Sequence, residues 1–253
     1  EAGVSAVGVN LFHRRPVLED HLRHYGSRIH ISAEETLLGT GGALARFKEF
    51  IDGDFIMQSG DVLSDIKYAD LIALHQRHDP VATIAMVRYR GTKFRIDKNN
   101  LIDKIYKYDA TPYTYAGIGV FSEQVMSFLP RTDVFSILDV FNNIVKEGAP
   151  LVGVPTVMEW YNVNSHYTYW VLHRDMLCRG ALSEDPISPA PVYIDPSSDV
   201  RTRELRGFVS VGENCRIAAS VRLENTIILP GTDLTTGHFR NAIVHGANRI
   251  VVT

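Results

Sequence analysis

The sequence predicts an α/β protein: a mostly parallel sheet with helices on both faces, followed by a short C-terminal left-handed parallel β-helix. Three observations carry this. Over the first half, short apolar runs of strand length alternate with amphipathic stretches of helix length, the pattern of a helix-covered parallel sheet. Residues 180–191 (GALSEDPISPAP) then hold three prolines and no apolar period, as a linker does. Beyond them the apolar period becomes six, which points to a solenoid of hexapeptide repeats. The expected domains are therefore residues 1–180 (α/β), a linker at 181–191 and a β-helix at 192–253.

Residues 4–10 alternate small and apolar side chains as a strand does, and residues 16–25 place Val17, Leu18 and Leu22 on one helical face. Residues 28–32 are a second strand, and residues 39–50 (GTGGALARFKEF) are a glycine turn opening a helix. A short strand at 54–57 ends in Gln58-Ser59-Gly60-Asp61, an amphipathic helix covers 68–78, and residues 81–88 (VATIAMVR) are a buried strand. Residues 93–108 form short alternating runs around Asn99-Asn100, which predicts a hairpin beside the main sheet. A glycine-bearing strand follows at 115–121, then a helix at 137–147 that stops at Gly148, a residue suited to the left-handed position after a helix. Two strands joined at Pro155 fill 151–163, and a last helix fills 167–178.

In the tail, Val211, Ile217 and Leu223 lie six apart, as do Ile194 and Val200, Ile228 and Leu234, and Val244 and Ile250. Residues 223–234 also align with residues 239–250, matching Asn225 with Asn241 and Ile227-Ile228 with Ile243-Val244. In a β-helix each sixth residue points inward, and Gly212, Gly231 and Gly246 would sit at corners. The rival is an ordinary antiparallel β domain, whose irregular strands seldom keep a fixed step.

The chain has 253 residues, average apolar content and a net charge of −3, with no stripe of Lys and Arg, so nucleic acid is a poor partner. No run of eighteen apolar residues exists and no basic-then-apolar leader opens the chain, so the expected location is the cytoplasm. Cys178 and Cys215 stand far apart without metal-ligand neighbours and are expected to be buried small residues. The first residue is Glu1, which raises the expectation of lost upstream sequence.

Two motifs carry chemistry. Gly39-Thr40-Gly41-Gly42-Ala43 opens a helix, where free amides and the helix dipole can meet a nucleotide; the same glycines suit a turn chosen for close packing. Asp61 ends a strand, where a carboxylate is a natural ligand for Mg²⁺ bridging phosphates, or a simple cap for the next segment. Histidines such as His21, His24, His75, His78 and His173 stand beside charges in helices and are expected on solvated faces. His245 could serve as base in a hexapeptide-repeat acyltransferase, though the tail is short for binding acyl carriers.

The order and spacing of these motifs resemble the sugar-1-phosphate nucleotidylyltransferases, especially the mannose-1-phosphate guanylyltransferase group. Residues 38–44 (LGTGGAL) resemble the family's glycine turn, Ser59-Gly60-Asp61 its Asn-Gly-Asp motif with the metal-binding Asp, and residues 116–121 its glycine strand beside the sugar. Residues 160–165 (WYNVNS) are similar to its Trp-x-Asp segment, and hexapeptide tails are common in the group. The resemblance implies a Rossmann-like α/β domain, nucleotide contacts at Gly39, Thr40, Gly41 and Gly42, sugar contact at Gly117, and Mg²⁺ held by Asp61 with Asn162 or Asn164. It places a base-reading residue at Glu34, whose carboxylate suits the N1–H and N2–H donors of guanine, whereas a glutamine would suit uracil or thymine.

The departures are as informative. The family's opening Gly-x-Gly-Thr-Arg loop and its downstream lysine have no counterpart in this sequence, the second metal-binding Asp is Asn162, and Lys107 is out of step with the Glu-Lys-Pro motif. No residue is therefore assigned as catalytic. The resemblance implies formation of a nucleotide-sugar and pyrophosphate from a nucleoside triphosphate, GTP favoured, and a mannose-like sugar-1-phosphate. The alternative is a non-catalytic paralogue that binds nucleotide-sugar and regulates an active partner. Exposed rungs of a β-helix also imply a homo-oligomer.

Overall fold

The computed structural model describes residues 3–106, 112–179 and 191–252. Lys107 and the linker expected at 181–191, apart from Pro191, lie outside the described residues. Two compact units result, Glu1–Trp160 and Tyr161–Thr253.

The first unit opens with β1 (Val7–Leu11), α1 (Arg15–Arg23) and β2 (Ile29–Ala33), and β1 and β2 pair in parallel with Val9 opposite Ile31. The face predicted from Val17 and Leu18 is helical but exposed, and α1 buries no residue. Next come α2 (Gly39–Ala45), β3 (Phe55–Gln58), β4 (Val62–Ser64), α3 (Tyr68–His78), β5 (Ala82–Arg88), β6 (Lys93–Ile96), β7 (Ile102–Tyr106), β8 (Tyr113–Phe121), α4 (Ile137–Lys146) and β9 (Leu151–Pro155).

The main sheet has the order β3-β8-β5-β9. It is mixed rather than mostly parallel: β5 and β9 are parallel, but β8 runs against both β3 and β5. The cause is the connection. The chain passes from β5 to β8 through the antiparallel hairpin β6–β7, with no crossover helix to carry it back to the starting edge. Two glycine-permitting turns were legible in advance: Asn100 turns that hairpin at φ 63°, and Gly148 follows α4 at φ 71°.

Alternation along β5 divides the core in two. Ala82, Ile84 and Met86 face α4, packing with Val140, Phe141 and Ile144, whereas Ala85 and Val87 face α3 and pack with Leu71, Ala116 and Ile118. Thr83 lies on the α3 side too, 3.0 Å from Nδ1 of His75. His75 is thus 1% exposed, a buried histidine where the sequence suggested a solvated one. Ser136 caps α4 by accepting from the Leu138 amide while Asp139 accepts from the Ser136 amide.

The second unit begins within β10 (Trp160–Asn162) and contains α5 (His166–Cys178) and the strands β11 (Val192–Ile194), β12 (Asp199–Val200), β13 (Leu205–Val211), β14 (Arg216–Ile217), β15 (Val221–Ile228), β16 (Asp233–Leu234), β17 (Gly237–His245) and β18 (Asn248–Val251). Two ladders stack in parallel, β11-β13-β15-β17 and β12-β14-β16. The aligned segments of the sequence are structural neighbours: Leu223 pairs with Phe239, Ile227 with Ile243 and Ile228 with Val244. Val211, Ile217, Leu223, Ile228, Leu234 and Val244 all enter one apolar interior, with the buried Cys215.

The step of six fails at the end. β18 turns back antiparallel to β17, pairing Ile250 with Ile243, and leaves Ile250 38% exposed. Gly246, at φ 55°, makes that reversal, and His245 stands exposed beside it. The α5 helix, assigned from sequence to residues 1–180, packs within the second unit. Its Trp170 ring meets Phe208 at 4.8 Å and its indole donates to the Asn225 carbonyl at 2.8 Å, while Leu177 joins Phe208, Ile227 and Ile243. His173 is correspondingly half-buried, 3.2 Å from the Ser210 hydroxyl, rather than solvated. Cys178, expected to be buried, is exposed at the end of α5.

Candidate functional site

Within the first unit, the residues singled out by sequence fall into two groups, one just past the C-terminal end of β2 in the parallel pair and one just past that of β3, which runs antiparallel to β8. Glu34 follows β2. Its carboxylate is 6% exposed, and both oxygens are engaged: Oε1 accepts from Asn10 Nδ2 at 3.1 Å and Oε2 from the Leu38 amide at 3.2 Å. Glu34 therefore ties the end of β1 to the start of the glycine turn, and Asn10, unremarked in the sequence, is its partner.

The glycine turn is closed from an unexpected side. The amides of Gly41 and Gly42 donate to the Phe135 carbonyl at 3.1 and 3.2 Å, and the Ile137 amide donates to the Thr40 hydroxyl at 3.0 Å. Added Cβ atoms would lie 2.6 Å from the Phe135 oxygen at Gly39, 2.5 Å from the Phe135 ring at Gly41 and 2.4 Å from the Asp133 oxygen at Gly42. Glycine is required here by the close passage of residues 133–136. That loop is distant in sequence and carries no motif, so nothing local announces the contact.

Asp61 follows β3 in an exposed turn, and among the described residues its carboxylate has no hydrogen bond or ion pair. The turn is anchored on β8: the Ser59 amide donates to the Gly117 carbonyl at 2.8 Å. Gly117 has φ 78°, and a Cβ there would come within 2.9 Å of the Ser59 hydroxyl. The structure thus brings Asp61's turn and Gly117 together. Below them, Tyr68 donates to the Gln58 side chain, whose amide donates to the Val62 carbonyl at 3.1 Å. Trp160, part of the sequence motif, donates its indole N–H to the Ala116 carbonyl at 2.8 Å and so braces the same stretch of β8. On that strand Tyr115 packs edge-on to Phe141, and burial holds its phenol well above the usual range.

Asn162 and Asn164 belong to the second unit. Asn162 Oδ1 is buried without a hydrogen-bond partner among the described residues, while Asn164 is exposed before α5, which Ser165 caps. Among the described residues no three His, Cys, Asp or Glu side chains cluster as a metal centre. The donors fit Mg²⁺ only in the sense that Asp61 offers a hard, exposed carboxylate, without a partner among the described residues, that would share such an ion with phosphate oxygens.

The first unit is thus an α/β core with parallel strand pairs that carries a glycine turn and a carboxylate turn at strand ends. No protein-family description matches the chain. It is 24% identical over 209 residues to the glucose-1-phosphate adenylyltransferase of Acetivibrio thermocellus, covering 72% of this chain and 47% of that one. It is 29% identical over 126 residues to the mannose-1-phosphate guanylyltransferase catalytic subunit beta of Dictyostelium discoideum, covering 46% and 34%. The crystal structure of HddC from Yersinia pseudotuberculosis superposes with a TM-score of 0.57 at 20% identity, over 67% of this chain and 78% of that one, a likeness of fold. The same protein complexed with GMP-PN gives 0.56 at 19% identity, again over 67% and 78%.

Over part of their length, the chain is similar to sugar-1-phosphate nucleotidylyltransferases of the adenylyl and guanylyl types. It spans about half the length, or less, of these curated relatives. No helix among the described residues is long and apolar enough to cross a membrane.

Proposed function

We propose that the chain acts in nucleotidylyl transfer, joining a nucleoside triphosphate to a sugar-1-phosphate and releasing pyrophosphate. A phosphate oxygen of the sugar attacks the α-phosphorus; such a displacement needs positioning and charge neutralisation rather than a covalent nucleophile. The observation that carries the proposal is the docking of the Asp61 turn onto β8 through Ser59 and Gly117, which leaves a carboxylate without a partner among the described residues at a strand end beside a glycine that Ser59 approaches closely. Asp61 would hold Mg²⁺, and the ion would neutralise phosphate charge when bound. Gly117 would lie against the sugar. Gly39 to Gly42 would line the nucleoside through their Cα atoms and Thr40, since the Gly41 and Gly42 amides are committed to Phe135.

GTP is the favoured nucleotide. Each Glu34 oxygen accepts one bond, leaving lone pairs for a base that offers two donors, as guanine does. A mannose-like sugar is favoured by the motif likeness to the guanylyltransferases. The stacked parallel ladders of the second unit are read as a short left-handed β-helix, with homo-oligomerisation through its surface and a cytoplasmic setting. A second reading, a non-catalytic nucleotide-sugar-binding paralogue, draws on Asn162 standing where the family has a carboxylate.

Pyrophosphate release with Mg²⁺, a sugar-1-phosphate panel and GTP, UTP, CTP, ATP or dTTP tests the first reading. Turnover supports it. Silence with retained binding of GDP-sugar turns the case to the paralogue, and silence without nucleotide binding sinks both.

A further inference from the structure

The end of the sheet that carries Asp61 holds a second feature outside every motif. Lys93, the first residue of β6, is 8% exposed. Its ammonium donates to the Tyr89 carbonyl and, at 3.5 Å, to the Pro112 carbonyl. An ammonium has three donors, so one is left over among the described residues, and no carboxylate pairs with it there. Carbonyl dipoles orient a cation without cancelling its charge, and buried charges are ordinarily paired or bound to a ligand.

Two more cations crowd the same loop. The Arg88 guanidinium lies 5.4 Å from the Tyr113 ring centre and that of Arg90 lies 5.7 Å from the ring of Tyr89, both exposed and neither ion-paired among the described residues. Arg95, on the next turn of chain, is by contrast matched by Asp103 at 2.6 Å. Three cations thus gather here without a carboxylate partner among the described residues, in a chain of net charge −3.

Strand β8 measures how far this cluster stands from the Asp61 turn. β3 and β5 both run against β8, so their C-terminal ends lie at one end of the sheet. The Asp61 turn is hydrogen-bonded at Gly117 and Lys93 reaches Pro112, which at about 3.3 Å per residue puts them about 16 Å apart along the strand. One phosphate cannot touch both. The stretch between is bridged by Trp160, which donates to Ala116 and meets the Tyr89 ring at 5.1 Å, an aromatic wall of the kind that lies against the apolar face of a sugar.

We infer that Lys93, with Arg88 and Arg90, binds a second anionic group, a carboxylate or a phosphate, at the far end of the sugar-1-phosphate. The preferred sugar is then charged at a carbon remote from C1. This rests on the proposed nucleotidylyl transfer for the identity of the near end, but the cation cluster itself does not depend on it.

Calorimetry of the 253-residue chain with Mg²⁺ would compare glucose 1-phosphate, glucose 1,6-bisphosphate and glucuronic acid 1-phosphate, with GTP as a separate titration. At least one doubly anionic sugar should bind tenfold or more tightly than glucose 1-phosphate, and which one does so identifies the group. Lys93→Met should abolish that preference while glucose 1-phosphate and GTP affinities stay within twofold, and Lys93→Arg should restore it. Should Lys93→Met melt early, the exposed pair Arg88→Gln and Arg90→Gln serves in its place, with at least a threefold loss of preference expected. Equal affinity for all three sugars, or a preference indifferent to these substitutions, overturns the inference. GTP binding without the preference defeats the subsite alone, whereas the preference without GTP binding supports the subsite and defeats nucleotidylyl transfer.

Discussion

The Gly41 amide donates to the Phe135 carbonyl at 3.1 Å, and the Phe135 ring lies where a Gly41 side chain would begin. The glycine turn is thus the floor on which residues 133–136 rest as they enter α4. Its composition answers a packing demand first and leaves the Cα surface for any ligand.

Gly41→Ala and Gly42→Ala should each destabilise the fold by about 1–3 kcal/mol, the cost of overpacking. The added methyl meets the Phe135 ring or the Asp133 backbone, neither free to move away. Gly60→Ala, with nothing within 4 Å, is the control and should be near neutral. Urea midpoints read the difference; equal midpoints for Gly41→Ala and Gly60→Ala would refute the packing account.

Glu34→Gln should cost about 1–2 kcal/mol, because the amide keeps one acceptor for Asn10 or Leu38 but turns a donor toward the other. If the same carboxylate reads guanine, the ratio of GTP to UTP affinity falls by about tenfold, roughly 1.4 kcal/mol. A stability loss with unchanged base selectivity would leave Glu34 a purely structural brace.

Asp61→Asn should leave the melting temperature within about a degree, since an exposed surface substitution without partners is close to neutral. Mg²⁺-dependent nucleotide affinity should drop about tenfold or more. Titration with and without Mg²⁺ tests this, and equal Mg²⁺ dependence in the two proteins removes Asp61 from the metal site.

Stability should fall on mild acidification. Burial depresses the pKa of His75 despite the opposing pull of Asp54 and Asp79, and burial depresses that of His173. A histidine with a folded pKa below its unfolded one binds more protons unfolded. Its neutral-state contribution is therefore complete above the unfolded value near 6.5 and is lost as pH drops from there toward the folded value. Unfolding free energy measured from pH 7.5 to pH 5 should decline, and less steeply in His75→Gln, whose amide preserves a partner for Thr83.

Asn225 and Asn241 hold left-handed backbone at φ 47° and 45° in the neighbouring strands β15 and β17, with Asn225 donating to the Asn241 side chain at 3.2 Å. Asn225→Ala should cost about 1–3 kcal/mol through both strain and lost bonds, and Asn225→Gly less, because glycine removes the strain. Thermal unfolding of the two variants separates the contributions; equal losses would show that the side-chain ladder alone matters.

Much of this protein was legible from local pattern. Residues 68–78 formed the helix predicted for them, the hairpin turned at Asn100, and the tail's self-alignment matched the pairing of Leu223 with Phe239. Each depends on periodicity or on residues that tolerate φ > 0, properties written within a few positions or repeated along the chain. The antiparallel course of β8 was not legible, because strand direction follows from how a connection returns to the sheet and not from the strand's own residues.

By itself the sequence determined where helices and strands form, which side chains repeat toward the interior of the second unit, and that Glu34, the glycine turn, Asp61 and Gly117 are the residues to inspect. Only the tertiary structure decided that Phe135 takes the turn's amides, that α5 packs with the C-terminal strands, that His75 is buried, and that Lys93 donates to the Tyr89 and Pro112 carbonyls. Those are contacts between residues far apart in the chain, set by the filling of space and the pairing of polar groups, which no local window of sequence contains.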